Sequence, residues 1–133
     1  MSQSSPTFYP CLLYRDAPAA MAWLTNAFGF KEMMRVPGED GSVRHAEMNL
    51  GSGVIMLSSA RPGEGWLSPL DLPGVNQTVS VYIDDVDAHH AHAVKAGAEI
   101  TFPLESKDWG RGYSCKDCEG HTWSFGDYRP SAE

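Results

Sequence analysis

Three landmarks recur along the chain at a nearly constant spacing, and that recurrence restricts what the chain can fold into. Asp16 and Asp85 stand 69 residues apart, Gly29 and Gly97 stand 68 apart, and Gly53 and Gly120 stand 67 apart. Each Asp can cap a helix, the first Gly of each set can end it, and the second Gly sits in a turn between β-type runs. The pattern predicts an internal duplication of a strand, a helix and three strands, although residue identity between the halves is slight. At 133 residues and 42% hydrophobic content, one domain built of two half-length modules can bury its core without disulfides.

In the first module, about residues 7–60, a strand is expected over 8–14, with Pro10 near its start. Ala20, Trp23, Leu24, Ala27 and Phe28 then fall at helical spacing behind Asp16 and Pro18, and Gly29 closes the helix. Strands are predicted over 30–36, 43–49 and 54–58, with turns at 37–41 and 51–53. Residues 61–76 are rich in proline and glycine and read as a linker or lid.

The second module, about residues 77–128, repeats the plan. A strand is expected over 78–83, a helix from the Asp85 cap to Gly97 carrying Val86, His90, Ala93 and Val94, and a strand over 100–104. A hairpin over 111–126 completes it, turning at Lys116-Asp117-Cys118-Glu119-Gly120. Period-two alternation sends Trp123 and Phe125 to one face of that hairpin and Thr122 and Ser124 to the other. His121 is expected to brace the turn.

The paired modules, Phe28-Gly29-Phe30 at the end of the first helix, and Asp117-Cys118-Glu119-Gly120-His121-Thr122-Trp123 near the end resemble the vicinal oxygen chelate superfamily. That superfamily includes glyoxalase I, extradiol dioxygenases and bleomycin-resistance proteins. Cys118 stands where relatives usually carry proline. The resemblance implies an α+β fold of two tandem βαβββ modules forming a curved, partly open mixed sheet with a concave groove. It says little about activity, because one scaffold hosts many chemistries.

Catalytic relatives resemble one another in placing four His, Glu or Gln metal ligands on the first and last strands of each half. Alignment by landmark maps those positions to Tyr9, Met56, Thr78 and Ser124. A phenol, a thioether and two hydroxyls do not make a divalent-metal site. The expectation is therefore no metal and no cofactor, closest to the metal-independent bleomycin-resistance branch. Alternation from the mapped positions lines the groove with Tyr9, Cys11, Leu13, Met56, Ser58, Thr78, Ser80, Tyr82 and Ser124, and places Trp109, Arg111 and Tyr113 at its rim. Such a lining suits an organic ligand that packs on apolar surface and is oriented by a few polar groups.

His45 and Glu47 share a strand face as a weak acid and base candidate; the simpler reading is a solvated face opposite Ala46 and Met48. His89, His90 and His92 read as a solvent-facing helix surface, and Cys115 and Cys118 as a lone Cys-x-x-Cys without a zinc or redox role. Ten basic against seventeen acidic residues, net charge -7, disfavour a nucleic-acid groove or an anionic membrane. No apolar run reaches the roughly 20 residues of a membrane span, and residues 1–6 lack a signal-peptide pattern, so the cytoplasm is the expected location.

The expected function is stoichiometric sequestration of a small, partly aromatic molecule, in a homodimer as the resemblance implies. The competing expectation is a lyase or isomerase using Glu47 with His45 or Tyr82 for proton transfer, with or without a metal. A third is a structural or regulatory protein whose groove is filled by its own side chains.

Overall fold

A computed structural model describes residues 5–132. The chain divides into two compact units, one ending at Gly74 and one starting at Val75. Each holds one βαβββ module.

In the first unit, β1 (Cys11–Tyr14), α1 (Ala17–Phe28), β2 (Lys31–Pro37), β3 (Val43–Leu50) and β4 (Gly53–Ser59) follow in order. The sheet order is β1-β4-β3-β2, with β1 parallel to β4 and the remaining pairs antiparallel. Asp16 caps α1, its Oδ1 accepting from the Ala19 N–H at 3.1 Å. Gly29 ends the helix in the left-handed region, φ 92°, which glycine enters without a Cβ penalty. The helix buries Ala20, Met21, Leu24, Ala27 and Phe28 against the sheet face carrying Leu12, Tyr14, Ala46, Met48, Ile55 and Leu57.

The first strand starts three residues later than the expected 8–14. Pro10 has no N–H to give to a ladder, and its carbonyl instead accepts from the Met56 N–H at 2.9 Å. Residues 61–74 belong to this first unit. They form two 3-10 turns, Pro62–Glu64 and Pro69–Asp71, and are tied down by an Arg15–Asp71 ion pair and by the Arg61 guanidinium lying 4.8 Å over the Trp66 ring.

The second unit repeats the topology with β5 (Thr78–Tyr82), α2 (Val86–Lys95), β6 (Glu99–Lys107), β7 (Gly110–Lys116) and β8 (Thr122–Gly126), in sheet order β5-β8-β7-β6. The expected mixed sheet is therefore two four-stranded mixed sheets, one per unit, and neither closes on itself. Asp85 caps α2 through a 3.1 Å bond from the Ala88 N–H. β6 outruns its expected 100–104 span because an edge strand tolerates Pro103, which sits where the ladder slips between Phe102 and Glu105.

One side-chain expectation is corrected in this unit. His89 does not face solvent: its ring packs 4.3 Å from Phe125, and its Nδ1 shares a 2.7 Å hydrogen bond with the Tyr113 hydroxyl. Of the apolar residues named on α2, Val86 and Ala93 are buried and Val94 is exposed. The 116–120 turn is braced from both ends: the His121 carbonyl accepts from the Asp117 N–H at 2.9 Å, and the Asp117 carboxylate holds the backbone between them. Its Oδ1 accepts from the backbone N–H groups of Glu119, Gly120 and His121 at 3.0, 3.1 and 3.1 Å, and its Oδ2 accepts from the Trp123 indole at 3.0 Å.

Burial pushes the Cys115 thiol up to about 12 from its ordinary 9.0, and also raises the Tyr113 phenol. Both groups fold in their neutral forms, whereas the unfolded chain ionises them near their ordinary values. Their stabilisation is therefore complete below about pH 9 and is lost as pH climbs towards 12. The urea midpoint is expected to fall between neutral pH and pH 10 to 11, and Cys115→Ala to flatten the first part of that fall; a flat profile in the parent protein contradicts the burial argument.

Candidate functional site

The helix covers one face of the second sheet, and the ladder register sets what the other face presents. Ser80 pairs with Ser124, Ser124 with Ser114, and Ser114 with Phe102, giving one row of three hydroxyls ending at an aromatic ring. The next row runs Tyr82, Gly126, Gly112 and Glu105. Side chains directly opposite in a ladder share a face, so both rows look away from α2. The Ser114 and Ser124 hydroxyls bond each other at 2.8 Å, while the two glycines leave a trough with no side chains.

Above the trough lies a cleft of about 650 Å³, within the range of small-molecule sites. Phe102 and Trp109 stand at its mouth 66% and 64% exposed, and Tyr128 is exposed beside them. The Arg129 guanidinium lies 3.9 Å over the Tyr82 ring, whose hydroxyl donates to Asp84 at 2.7 Å. That bond to a carboxylate raises the Tyr82 phenol. Lys107 pairs with Glu105 at 3.1 Å and sits 5.9 Å from the Trp109 ring centre. The walls are thus aromatic and hydroxyl-rich, with charge confined to the edges.

Of the three expected rim residues, Trp109 stands at the mouth, mostly exposed, with Lys107 over its ring. Arg111 and Tyr113 belong to the strand that walls the cleft, but alternation on β7 turns both side chains towards the helix. The Arg111 guanidinium holds Asp87 at 2.8 Å and the Ser106 hydroxyl at 3.1 Å, which keeps the Asp87 carboxyl below its usual range. Tyr113 is buried under α2. Thr78 lies one step beyond the serine row, sharing a 3.0 Å bond with the Thr122 hydroxyl.

Phe102, Glu105, Lys107, Tyr128 and Arg129 were not anticipated. Phe102 could have been found by extending the hairpin register one strand further. Tyr128 and Arg129 follow the last strand and carry no periodic signal.

On the first sheet, Cys11, Leu13, Met56 and Ser58 share the open face, as alternation requires, since Leu12, Tyr14, Ile55 and Leu57 are buried on the other. Tyr9 is half-buried just ahead of β1, and its carbonyl accepts from the Cys11 thiol at 3.6 Å. His45 and Glu47 stand on the same open face as Met56, opposite Ala46 and Met48, and their Nε2 and Oε2 atoms are 2.8 Å apart.

The chain belongs to the glyoxalase/bleomycin resistance protein/dioxygenase superfamily, whose sequence profile matches residues 8–125. It is 35% identical over 125 residues to an uncharacterized protein of Mycobacterium bovis, covering 91% of this chain and 82% of that one. Among solved structures it is similar to TioX from Micromonospora sp. ML1, at 34% identity and TM-score 0.73, covering 92% of this chain and 99% of that one. A mutant of the fosfomycin resistance protein FosX from Listeria monocytogenes, complexed with Mn(II) and a dihydroxypropylphosphonic acid, shares the fold at 17% identity and TM-score 0.70, over 96% and 93% of the two chains.

A metal of the kind held by that FosX structure needs a converging set of imidazole and carboxylate donors. Within each unit the mapped positions do not fit one: Tyr9 and Met56 in the first, Thr78 and Ser124 in the second. Among the described residues no group of three or more His, Cys, Asp or Glu gathers as a metal site. Among those residues, too, no helix is long and apolar enough to cross a membrane.

Proposed function

We propose that this protein binds an organic small molecule in the cleft of its second unit, without a metal ion, and acts by stoichiometric capture. The observation that carries the reading is the composition of that cleft. Among the described residues that line it, the one carboxylate, Glu105, is paired with Lys107, and no imidazole or thiol side chain joins it, whereas aromatic rings and a row of serines dominate. Such walls offer stacking and a few orienting hydrogen bonds, and their acid and base groups are engaged, Tyr82 with Asp84 and Glu105 with Lys107.

The ligand that fits is flat and amphipathic. Its ring stacks on Trp109 or Phe102, its polar edge meets Ser80 and the Ser114–Ser124 pair, and an acceptor at its end reaches Arg129. Within the superfamily this reading places the chain nearest the bleomycin-resistance branch, as a cytoplasmic homodimer. The partner is a small molecule; the acidic surface opposes nucleic acid and anionic membranes.

A thermal-shift screen of antibiotics and aromatic metabolites, run in chelator and again with Mn²⁺, Zn²⁺ or Ni²⁺, tests it. A ligand at about 100 times its Kd adds about 2.7 kcal/mol of stability. The expected hit raises the melting temperature equally with and without metal. Shifts that appear only with a metal replace capture by a metal-dependent activity.

A further inference from the structure

The cleft does not use the pair on the first sheet, and that pair is built differently. His45 and Glu47 are 2.8 Å apart, with side chains 39% and 33% exposed. In the neutral imidazole the Nε2–H donates to the Glu47 carboxylate, which fixes the tautomer and leaves Nδ1 as a base. Among the described residues Nδ1 takes no protein partner.

The ladder surrounds the pair with a platform of one character. Met56 lies beside Glu47 on one side and Met34 on the other, while Val36 lies beside His45. Ser58, two residues past Met56, brings a hydroxyl to the same face. None of these neighbours carries a charge, so the platform selects a neutral, partly apolar substrate.

We propose that His45 and Glu47 form a general-base site that hydrolyses a neutral ester with a good leaving group. Exposure decides between chemistries. Abstraction of a carbon-bound proton needs a site closed to water, whereas a base whose side chain is 39% exposed has water as its nearest proton donor. In the first step Nδ1 of His45 takes a proton from that water as its oxygen bonds to the ester carbonyl carbon, and the carbonyl electron pair moves onto oxygen. Collapse of the adduct re-forms the carbonyl and expels the leaving group with the bonding pair. The imidazolium then returns its proton to that group, giving an acid and an alcohol or phenol with no redox partner. Glu47 takes up no proton in these steps and acts as a positioning residue that holds the ring and steadies the imidazolium. Ligand capture by the second unit is a separate matter, and neither result below bears on it.

The test is release of p-nitrophenolate from p-nitrophenyl acetate by the full chain near neutral pH. Turnover is expected to exceed that of equimolar free imidazole. His45→Gln should lower it about 100-fold, the scale of general-base catalysis, while the exposed helix variant His92→Gln leaves it unchanged. Glu47→Leu should lower the rate and convert the nitrogen NMR signals of His45 from a single Nε2–H tautomer to a mixture. Glu47→Gln, which keeps an acceptor oxygen, should retain the tautomer. Unchanged far-ultraviolet circular dichroism checks that the variants fold. A rate that survives His45→Gln, a rate no faster than free imidazole, or a single burst that leaves the acetyl group on a cysteine overturns the proposal.

Discussion

Asp117→Ala is expected to lower stability by about 4 kcal/mol. The carboxylate is 7% exposed and accepts four N–H groups: three backbone donors of its own turn and the indole of Trp123. Alanine leaves all four without that acceptor, and each buried, unpaired donor costs about 1–3 kcal/mol, less than additively. Trp123 is fully buried and stacks on Phe125 with ring centres 6.0 Å apart, so a loosened turn also loosens the centre of the core. Asp117→Asn keeps one carbonyl oxygen for the backbone donors but turns an amide N–H₂ or nothing towards the indole, so about half of the loss is expected. Urea unfolding followed by tryptophan fluorescence measures both; a loss under about 1 kcal/mol for alanine would mean that the turn holds itself.

Gly112→Ala is expected to cost about 2 kcal/mol and to spoil the cleft as well. A Cβ on Gly112 would meet the Phe125 carbonyl oxygen at 2.7 Å and the Gly126 Cα at 3.2 Å, and neither is the end of a flexible side chain. The two strands must separate there, and the methyl group rises from the floor between Tyr82 and Glu105. Gly63→Ala is the control, because nothing lies within 4 Å of its Cβ, and its effect should stay within about 0.5 kcal/mol. Should Gly112→Ala match that control in stability, the glycine trough is not closely packed.

Much of this fold is legible in the sequence because its punctuation is chemical. Asp16 and Asp85 are helix caps, Gly29 and Gly97 take left-handed backbone angles of 92° and 102°, and the alternation in 122–126 puts Trp123 and Phe125 inside. The same alternation, carried across the hairpin, places Tyr113 opposite Phe125 and turns its side chain inward, which needs the register as well as the pattern to see. Arg111 shares that parity. His89 was misplaced because a histidine on a polar helix reads as solvated until a buried hydroxyl is found within reach of its ring. Asp117 carries no sequence sign of its four bonds, since an acid in a turn is ordinarily a surface residue.

Isothermal titration of the strongest thermal-shift hit into protein stripped with chelator, repeated with Trp109→Ala, tests the central claim most directly. Binding of one ligand per second-unit cleft, unchanged by added Mn²⁺ or Zn²⁺ and weakened about tenfold by loss of the stacking ring, is the predicted result. Binding that vanishes on metal removal, or that ignores Trp109, contradicts it.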